Sequence, residues 1–574
     1  MGIYTERKTG TWFVAAVLTA AFAALYGVWL FVGPGLMRSE VVYATAAAES
    51  SPKHPLLMTI HGWATPECLP LLPVTARLLR GLTGLPMESV LRGLSILMLA
   101  AGAGLVYLAA VPRQSPRAGV VAAAMYFSCF LALGTAIEGT PATTNAFFLA
   151  AAQMVFFRYG VRRSDWNRAW IFSALLVTAG FFSGGATVLI FFVFPMFFFR
   201  RPMSVSSKFR RPGFVAAVVI VVLALLAWGA SFGASPRQVS IYELWQLGEV
   251  SLEWRMLTFP FLLVFWLLPW GLIAWMPFCE ALRSTDRTPI YSRYLRTLVI
   301  PSLALLWLLP ETGRFGLFYI LAPLSVLTGR FYELGIRRYG VKLRKFFPVL
   351  ELFMAATPLA IAAGCFLPEA WLAKLFSMRH TLQFREAAYF RSIALAVMIL
   401  ALLLALYVHK RRGDDPVWMI LLAVSVTSAL FFNGLVFPYK SQDQSNRAVG
   451  ARLREVMPER RTVYTMKIHR SMNGALFYSG LPMYRLDAYS AEGFPSTEQE
   501  DVYLLLPGGE FPGKFPQFST FGGWKDVEPF ECNGRGMTLW KGRWSRPKTD
   551  ASAPAEEEGA KQNGSDESNS GGNK

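Results

Sequence analysis

Apolar runs of roughly 18 residues or more recur along most of this chain, and that repetition limits its fold more than any other feature. The first is "TWFVAAVLTAAFAALYGVWLFVG" at 11–33. Such runs suit helices that cross a bilayer; they are too long for strands or for ordinary soluble core helices. Only 16% of residues are charged, against about a quarter in soluble proteins, and 54% are hydrophobic. The chain therefore reads as a polytopic membrane protein. The run at 11–33 exceeds the ~7–15 residues of a signal-peptide core, so it reads as an uncleaved helix. Five cysteines, at 68, 129, 279, 365 and 532, form no CxxC pair, which supports neither a disulfide framework nor a cysteine zinc site.

The net charge of +19 follows the loops rather than a nucleic-acid face, and no nucleic-acid partner is expected. Lysine and arginine collect on cytoplasmic loops. Arg7 and Lys8 thus place the N-terminus inside. Base-rich segments at 158–168, 200–211, 283–296, 330–345 and 409–415 alternate with base-poor ones at 133–141, 181–186 and 310–314. That alternation gives about thirteen spans, with 169–199 open to more than one division. Residues 34–87 and 232–258 become large outer loops, and 242–257 reads as an amphipathic interfacial helix.

After Pro438 the composition becomes mixed. "SNRAVGARLREVM" has helical periodicity, while "TVYTM" and "DVYLLL" are strand-like. The expected architecture is an all-α polytopic domain over 1–438, a small α/β domain over 439–545 on the outer face, and a disordered tail over 546–574 that lacks aromatic and large aliphatic residues.

Candidate chemistry lies in the outer loops. Their acids include Glu40, Glu49, Glu67, Glu88, Glu138 and Glu311, and their bases include Arg255 and Arg314. Glu40 and Glu138 each sit near a helix end at the same expected face, where a carboxylate can act as general base or bind a metal. On a helix beginning near residue 38, Glu40, Tyr43 and Ala47 share a face, while Ser39 points about 100° away. Arg314 opens a helix after "LPETG" at the depth of a lipid phosphate, to which a planar guanidinium is suited. His54, His61 and Glu67 lack a recognised ligand spacing and read as surface or packing residues. There is no Walker motif and no GxSxG.

Several segments, in order, resemble the GT-C superfamily of membrane glycosyltransferases. The similarity is to the group holding protein O-mannosyltransferases and the aminoarabinose transferases that modify lipid A. "SEVVYA" (39–44) is similar to the family's Asp-Glu-x-x-Tyr-Ala loop. "ECLPLLPVTARLLRGLTGLPMESVLRG" keeps Glu67, Pro70, Leu71, Gly84 and Arg92 near the spacing of a second family segment. "AIEGTPAT", "LLPWGL", "GRFGLFYILAPL" and the "FYSG" at 477–480 resemble later ones, so the likeness spans most of 1–510. Three positions depart from the family pattern: Ser39 replaces its leading Asp, Cys68 replaces a Lys, and "SGGA" at 183–186 lacks a Lys.

The resemblance implies sugar transfer from a polyprenyl-phosphate donor to a glycolipid, glycan or protein acceptor, at the outer face of the plasma (inner) membrane. The candidate site residues are Glu40 and Glu138 as catalytic acids, Glu40 as the base, with Ser39, Tyr43, Glu67, Arg255 and Arg314 binding substrate, the arginines at the phosphate. A divalent metal is the one cofactor left open. Membrane lipids are the remaining partners. The competing readings are a divergent non-catalytic relative and a lipid-linked-sugar transporter. No internal repeat is visible, and the apolar runs hold few ionisable residues; both features weigh against transport.

Overall fold

The computed structural model describes residues 7–30, 35–51, 53–66, 68–111, 115–200, 203–232, 255–286, 288–308, 313–343, 417–431, 446–457, 461–465, 472–485, 501–514, 521–532 and 535–544, with isolated positions between 356 and 437. The side chains of Arg255 and Arg314 lie outside that described set, as do Glu67, the 242–254 part of the expected interfacial helix, and the tail.

A helical bundle forms the larger part. Its first elements are α1 (Arg7–Gly27), α2 (Arg38–Glu49), a two-strand hairpin β1 (Thr59–Ile60) and β2 (Trp63–Ala64), α3 (Leu71–Thr83) and α4 (Met87–Ala110). There follow α5 (Pro116–Ser128), α6 (Phe130–Thr135), α7 (Ala142–Phe156), α8 (Trp166–Gly184), α9 (Ala186–Val193) and α10 (Pro212–Ser231). The bundle closes with α11 (Arg255–Leu267), α12 (Gly271–Ala274), α13 (Pro289–Leu308), α14 (Phe318–Leu343) and α15 (Val417–Phe431). The ambiguous stretch 169–199 divides at Gly185, whose φ of +70° ends α8 and starts α9.

Among the described residues, three helices are long and apolar enough to cross a membrane: Gly10–Leu30, Met87–Ala110 and Pro212–Ser231. A fourth is added if Leu257–Leu267 and Gly271–Phe278, bent by 111°, form one broken span. The coarse expectation of several membrane-length helices therefore holds, while thirteen spans are not reached there. The helix α5 has 13 residues and is too short to cross alone, while α7 continues into a π-helical turn at Phe157–Arg162.

Apolar surface gives little drive for helix association inside lipid, so close packing through small residues takes over. A Cβ placed on Gly329 of α14 would lie 2.3 Å from the Ala118 carbonyl oxygen of α5. One on Gly104 of α4 would lie 2.4 Å from Thr19 Oγ1 of α1. Those contacts hold the helices nearer than any larger residue allows. The helix α3 differs: its strong amphipathic pattern buries Leu72 and Ala76 and leaves Leu78 and Leu82 exposed.

The C-terminal part comprises α16 (Arg447–Val456), β3 (Val463–Thr465), α17 (Asn473–Ser479), β4 (Met483–Arg485), β5 (Asp501–Pro507), β6 (Phe521–Cys532) and β7 (Arg535–Trp544). Both strand-like runs of the sequence are strands, and the periodic run is a helix. The sheet order is β4-β3-β5-β7-β6, parallel on the β4-β3-β5 side and antiparallel beyond it. The run "VYLLL" of β5 is buried on both faces, which explains its unbroken apolar character. Leu453, Val463, Leu476, Leu505 and Leu539 form its core. Each such side chain stabilises by about 1.5–3 kcal/mol.

Candidate functional site at the first-loop helix

Helix α2 begins where the chain leaves "GPGLM". Glu40 is its third residue, and its carboxylate turns back so that Oε2 accepts the Met37 N–H at 2.7 Å. An acid in the first turn also meets the positive end of the helix dipole. The same carboxylate receives Arg92 of α4 in a two-pronged grip. Arg92 Nε donates to Oε1 at 3.0 Å, and Nη2 donates to Oε2 at 2.9 Å. Gly139 N–H donates to Oε1 at 2.8 Å. Arg92 Nη2 also donates to the Gly35 carbonyl at 2.9 Å, and its guanidinium lies 4.7 Å from the centre of the Phe437 ring.

Glu40 and Arg92 are both 0% exposed. A carboxylate has about four acceptor positions, and four donors occupy them here. Glu40, expected as a catalytic acid at the helix end, is thus enclosed here and holds four donors. This acid is sealed and its acceptor positions are filled. What it does instead is tie together segments around 37, 92 and 139. The rest of α2 follows the expected face: Ala44 and Ala47 are buried, Tyr43 is half-buried and Ser39 is exposed.

Glu138 is 3% exposed and immediately precedes the glycine that Glu40 holds. Its loop is tight, with Glu138 N–H bonded to the Thr135 carbonyl at 3.0 Å and Thr140 N–H to the Glu138 carbonyl at 2.7 Å. A Cβ on Gly139 would meet Leu91 Cβ at 2.7 Å, so only glycine lets this loop lie against α4. The two expected acids are thus brought to one place by a backbone N–H. Beyond the loop, Ser95 and Thr143 hydroxyls bond at 3.0 Å, as do Thr187 and Tyr319. Thr140 Oγ1, Thr144 Oγ1, Asn145 Oδ1 and Ser183 Oγ are buried and, among the described residues, meet no hydrogen-bond partner. Asn145 packs against Gly184, where an added Cβ would fall 2.1 Å from its Nδ2. The result is a patch of neutral oxygens at the start of α7 and the end of α8.

The C-terminal part clamps the same region. Tyr478 Oη accepts the Leu36 N–H at 2.5 Å and donates to Glu88 Oε1 at 3.0 Å. Burial, reinforced by the Glu88 charge, pushes its phenol well above the usual tyrosine range. The hairpin docks too: the Arg485 N–H donates to the His61 carbonyl at 2.8 Å. Glu49 accepts the backbone N–H groups of His61 at 2.9 Å and Gly62 at 3.1 Å, and burial raises its own pKa. The His61 ring is buried, which pushes its pKa down to about 4 and leaves it neutral at pH 7.

Glu67, and the side chains of Arg255 and Arg314, fall outside the described residues. Among the described residues, no three His, Cys, Asp or Glu side chains converge as a metal-binding group. The principal partner of Glu40 was missed as a site residue. Arg92 is a lone cation in the otherwise apolar body of α4, and an ionisable residue within a membrane-length helix marks a paired or functional position. That signal was present. The Tyr478–Leu36 bond joins residues 442 apart and left no local signal.

No family profile and no curated protein matches the sequence. The fold does match solved structures. ArnT from Cupriavidus metallidurans bound to undecaprenyl phosphate superposes with a TM-score of 0.68 at 14% identity, covering 91% of this chain and 97% of that one. Its apo state gives 0.65 at 14% identity, covering 92% and 98%. The Archaeoglobus fulgidus oligosaccharyltransferase is a looser match, at 0.43 and 13% identity over 84% of this chain and 65% of that one. The chain has the fold of ArnT.

Proposed function

We propose that the protein is an integral membrane glycosyltransferase that moves a sugar from a polyprenyl-phosphate donor to a lipid, glycan or protein acceptor. The observation that carries this reading is the whole-chain likeness in fold to ArnT, a structure bound to undecaprenyl phosphate. The proposed topology puts the N-terminus in the cytoplasm, with about thirteen spans over 1–438 and the 439–545 domain on the outer face of the inner membrane. Residues 546–574 form its tail.

In the proposed reaction the acceptor oxygen attacks the anomeric carbon, the bond to the lipid phosphate breaks, and the acceptor proton passes to a carboxylate. One base serves an inverting displacement, as one does in inverting hydrolysis. Glu138 is the acid assigned to that role. Glu40 becomes a positioning residue that fixes Glu138 through Gly139 and secures α2 through Arg92. Ser39, Tyr43 and Glu67 are assigned to the substrate, and Arg255 and Arg314 to the leaving phosphate, where fixed positive charge lowers the barrier most. A divalent metal would draw its ligands from acids outside the described residues, Glu67 among them.

Incubation of purified protein with labelled polyprenyl-phosphate sugars tests the reading, and absence of transfer from every donor would overturn it. Glu138→Gln should lower kcat by about 10²–10⁴ and remove the acidic limb of the pH–rate profile, with thermal melting unchanged. A fall in melting temperature without loss of that limb would make Glu138 structural. The second reading, a non-catalytic relative, is favoured by one fact: a serine stands where the resemblance implies the leading aspartate, and the acid beside it is sealed. Binding of polyprenyl phosphate without transfer would establish it.

A further inference from the structure

A cavity of about 520 Å³ lies between α9 and α10, with α8 as its back wall. Its lining is wholly apolar and includes Trp170 and Val177 of α8, Phe192 of α9, and Phe214, Val218 and Val222 of α10. Its extent from Phe214 to Val222 is about 12 Å at the helical rise. An α-helix about 10 Å across would fill on the order of 900 Å³ over that length, so the slot takes a flexible chain and not a helix. Phe197, Val193, Val218 and Val222 are exposed along it, so it opens sideways to whatever surrounds the bundle.

One end of the slot is strongly basic. Phe209 and Phe214 line that end, and the Gly213 N–H donates to Asn167 Oδ1 at 3.1 Å, which ties the start of α10 to the start of α8. The described residues of 158–168 and 200–211 carry Arg158, Arg162, Arg163, Arg168, Arg200, Lys208, Arg210 and Arg211 against one acid, Asp165. That acid caps α8 and already pairs with Arg168 at 3.3 Å. Lys208 Nζ sits 5.5 Å from the centre of the Trp166 ring. Trp170 packs edge-on to Phe214, and its indole N–H is buried without an acceptor among the described residues.

We propose that this slot holds one acyl chain of an anionic phospholipid whose phosphate rests on the basic loops. The apolar lining accepts the chain, and the excess of bases selects a negative headgroup. Basic pockets between membrane helices act on anionic lipids in this way. The site lies apart from Glu40 and Glu138 and does not depend on the glycosyltransferase reading.

The test is native mass spectrometry of the delipidated full chain with added dioleoyl phosphatidylglycerol or dioleoyl phosphatidylcholine, paired with thermal unfolding. Retention of phosphatidylglycerol should exceed that of phosphatidylcholine by about tenfold or more, because each nearby base contributes about fivefold. The double variant Arg210→Gln/Arg211→Gln should erase most of that preference, and Val218→Trp should fill the slot and abolish retention of both lipids. Equal retention by the wild type would overturn the proposal. So would an undiminished preference in the double variant, which alters only exposed side chains and carries the test should Val218→Trp fail to fold.

Discussion

Two buried arginine–carboxylate pairs sit in different parts of the molecule, and they are built differently. At the first-loop helix, Arg92 grips both oxygens of Glu40, and backbone N–H groups of Met37 and Gly139 fill the remaining positions. At the start of α13, Arg330 places Nε and Nη2 on one oxygen of Asp286, at 3.3 and 3.0 Å. The Thr288 N–H bonds that same oxygen at 2.9 Å and the Ser292 side chain also holds the carboxylate, while among the described residues Asp286 Oδ2 meets no partner at full hydrogen-bond geometry. The first pair joins segments around 37, 92 and 139 and is saturated. The second ties a short loop to one helix and, among the described residues, is less completely filled. Completeness distinguishes a lock that fixes a site from a tie that merely closes a loop.

The largest effect should come from unbalancing the complete pair. Glu40→Gln or Arg92→Ala leaves an unpaired charge or donor in a sealed position and should cost about 3–5 kcal/mol of stability, measured by thermal or denaturant unfolding in detergent. Retained stability would remove the distinction drawn between the two pairs. Next comes pH. His61, docked against the C-terminal part near Glu49, has its pKa depressed by burial to about 4, from an unfolded value near 6.5. The unfolded chain binds the proton first, so stability is full above pH ~6.5 and falls as the pH drops toward 4. His61→Asn, which tolerates the positive φ of that position, should flatten this stretch of the stability–pH curve. An unchanged slope would place the titration elsewhere.

A smaller effect belongs to the incomplete pair. Asp286→Asn should cost about 1–3 kcal/mol, because Asn retains an acceptor for Thr288 and only the charge-assisted bonds weaken. The folded-state pKa of Asp286 is lowered by its hydrogen bonds and by Arg330 in spite of burial. Its contribution is therefore present above the unfolded pKa and is lost as pH falls through the folded one. A loss equal to that of Glu40→Gln would show that saturation is not what sets the strength of these pairs.

Much of the fold was legible because hydrophobic length and period are local properties. The apolar runs declared membrane-length helices, and "DVYLLL" declared a strand, whose burial on both faces the structure added. Helical spacing placed Ser39 and Glu40 in different directions, but it did not show that Glu40 would be buried. The polar oxygens of Thr140, Thr144, Asn145 and Ser183 were not foreseen as a patch, because hydroxyl and amide side chains carry no periodic signal and are common on any helix.

The sequence alone determined that the chain builds a helical membrane bundle followed by a smaller mixed unit, since burying apolar runs leaves few alternatives. It also named Glu40 and Glu138 as the acids to watch. Tertiary structure decided what those acids can do. Four donors close Glu40, from Met37, Gly139 and twice from Arg92, while the Leu36 N–H is held from residue 478. No local pattern could reveal that closure, because a carboxylate's reactivity depends on which donors the folded chain delivers to its lone pairs.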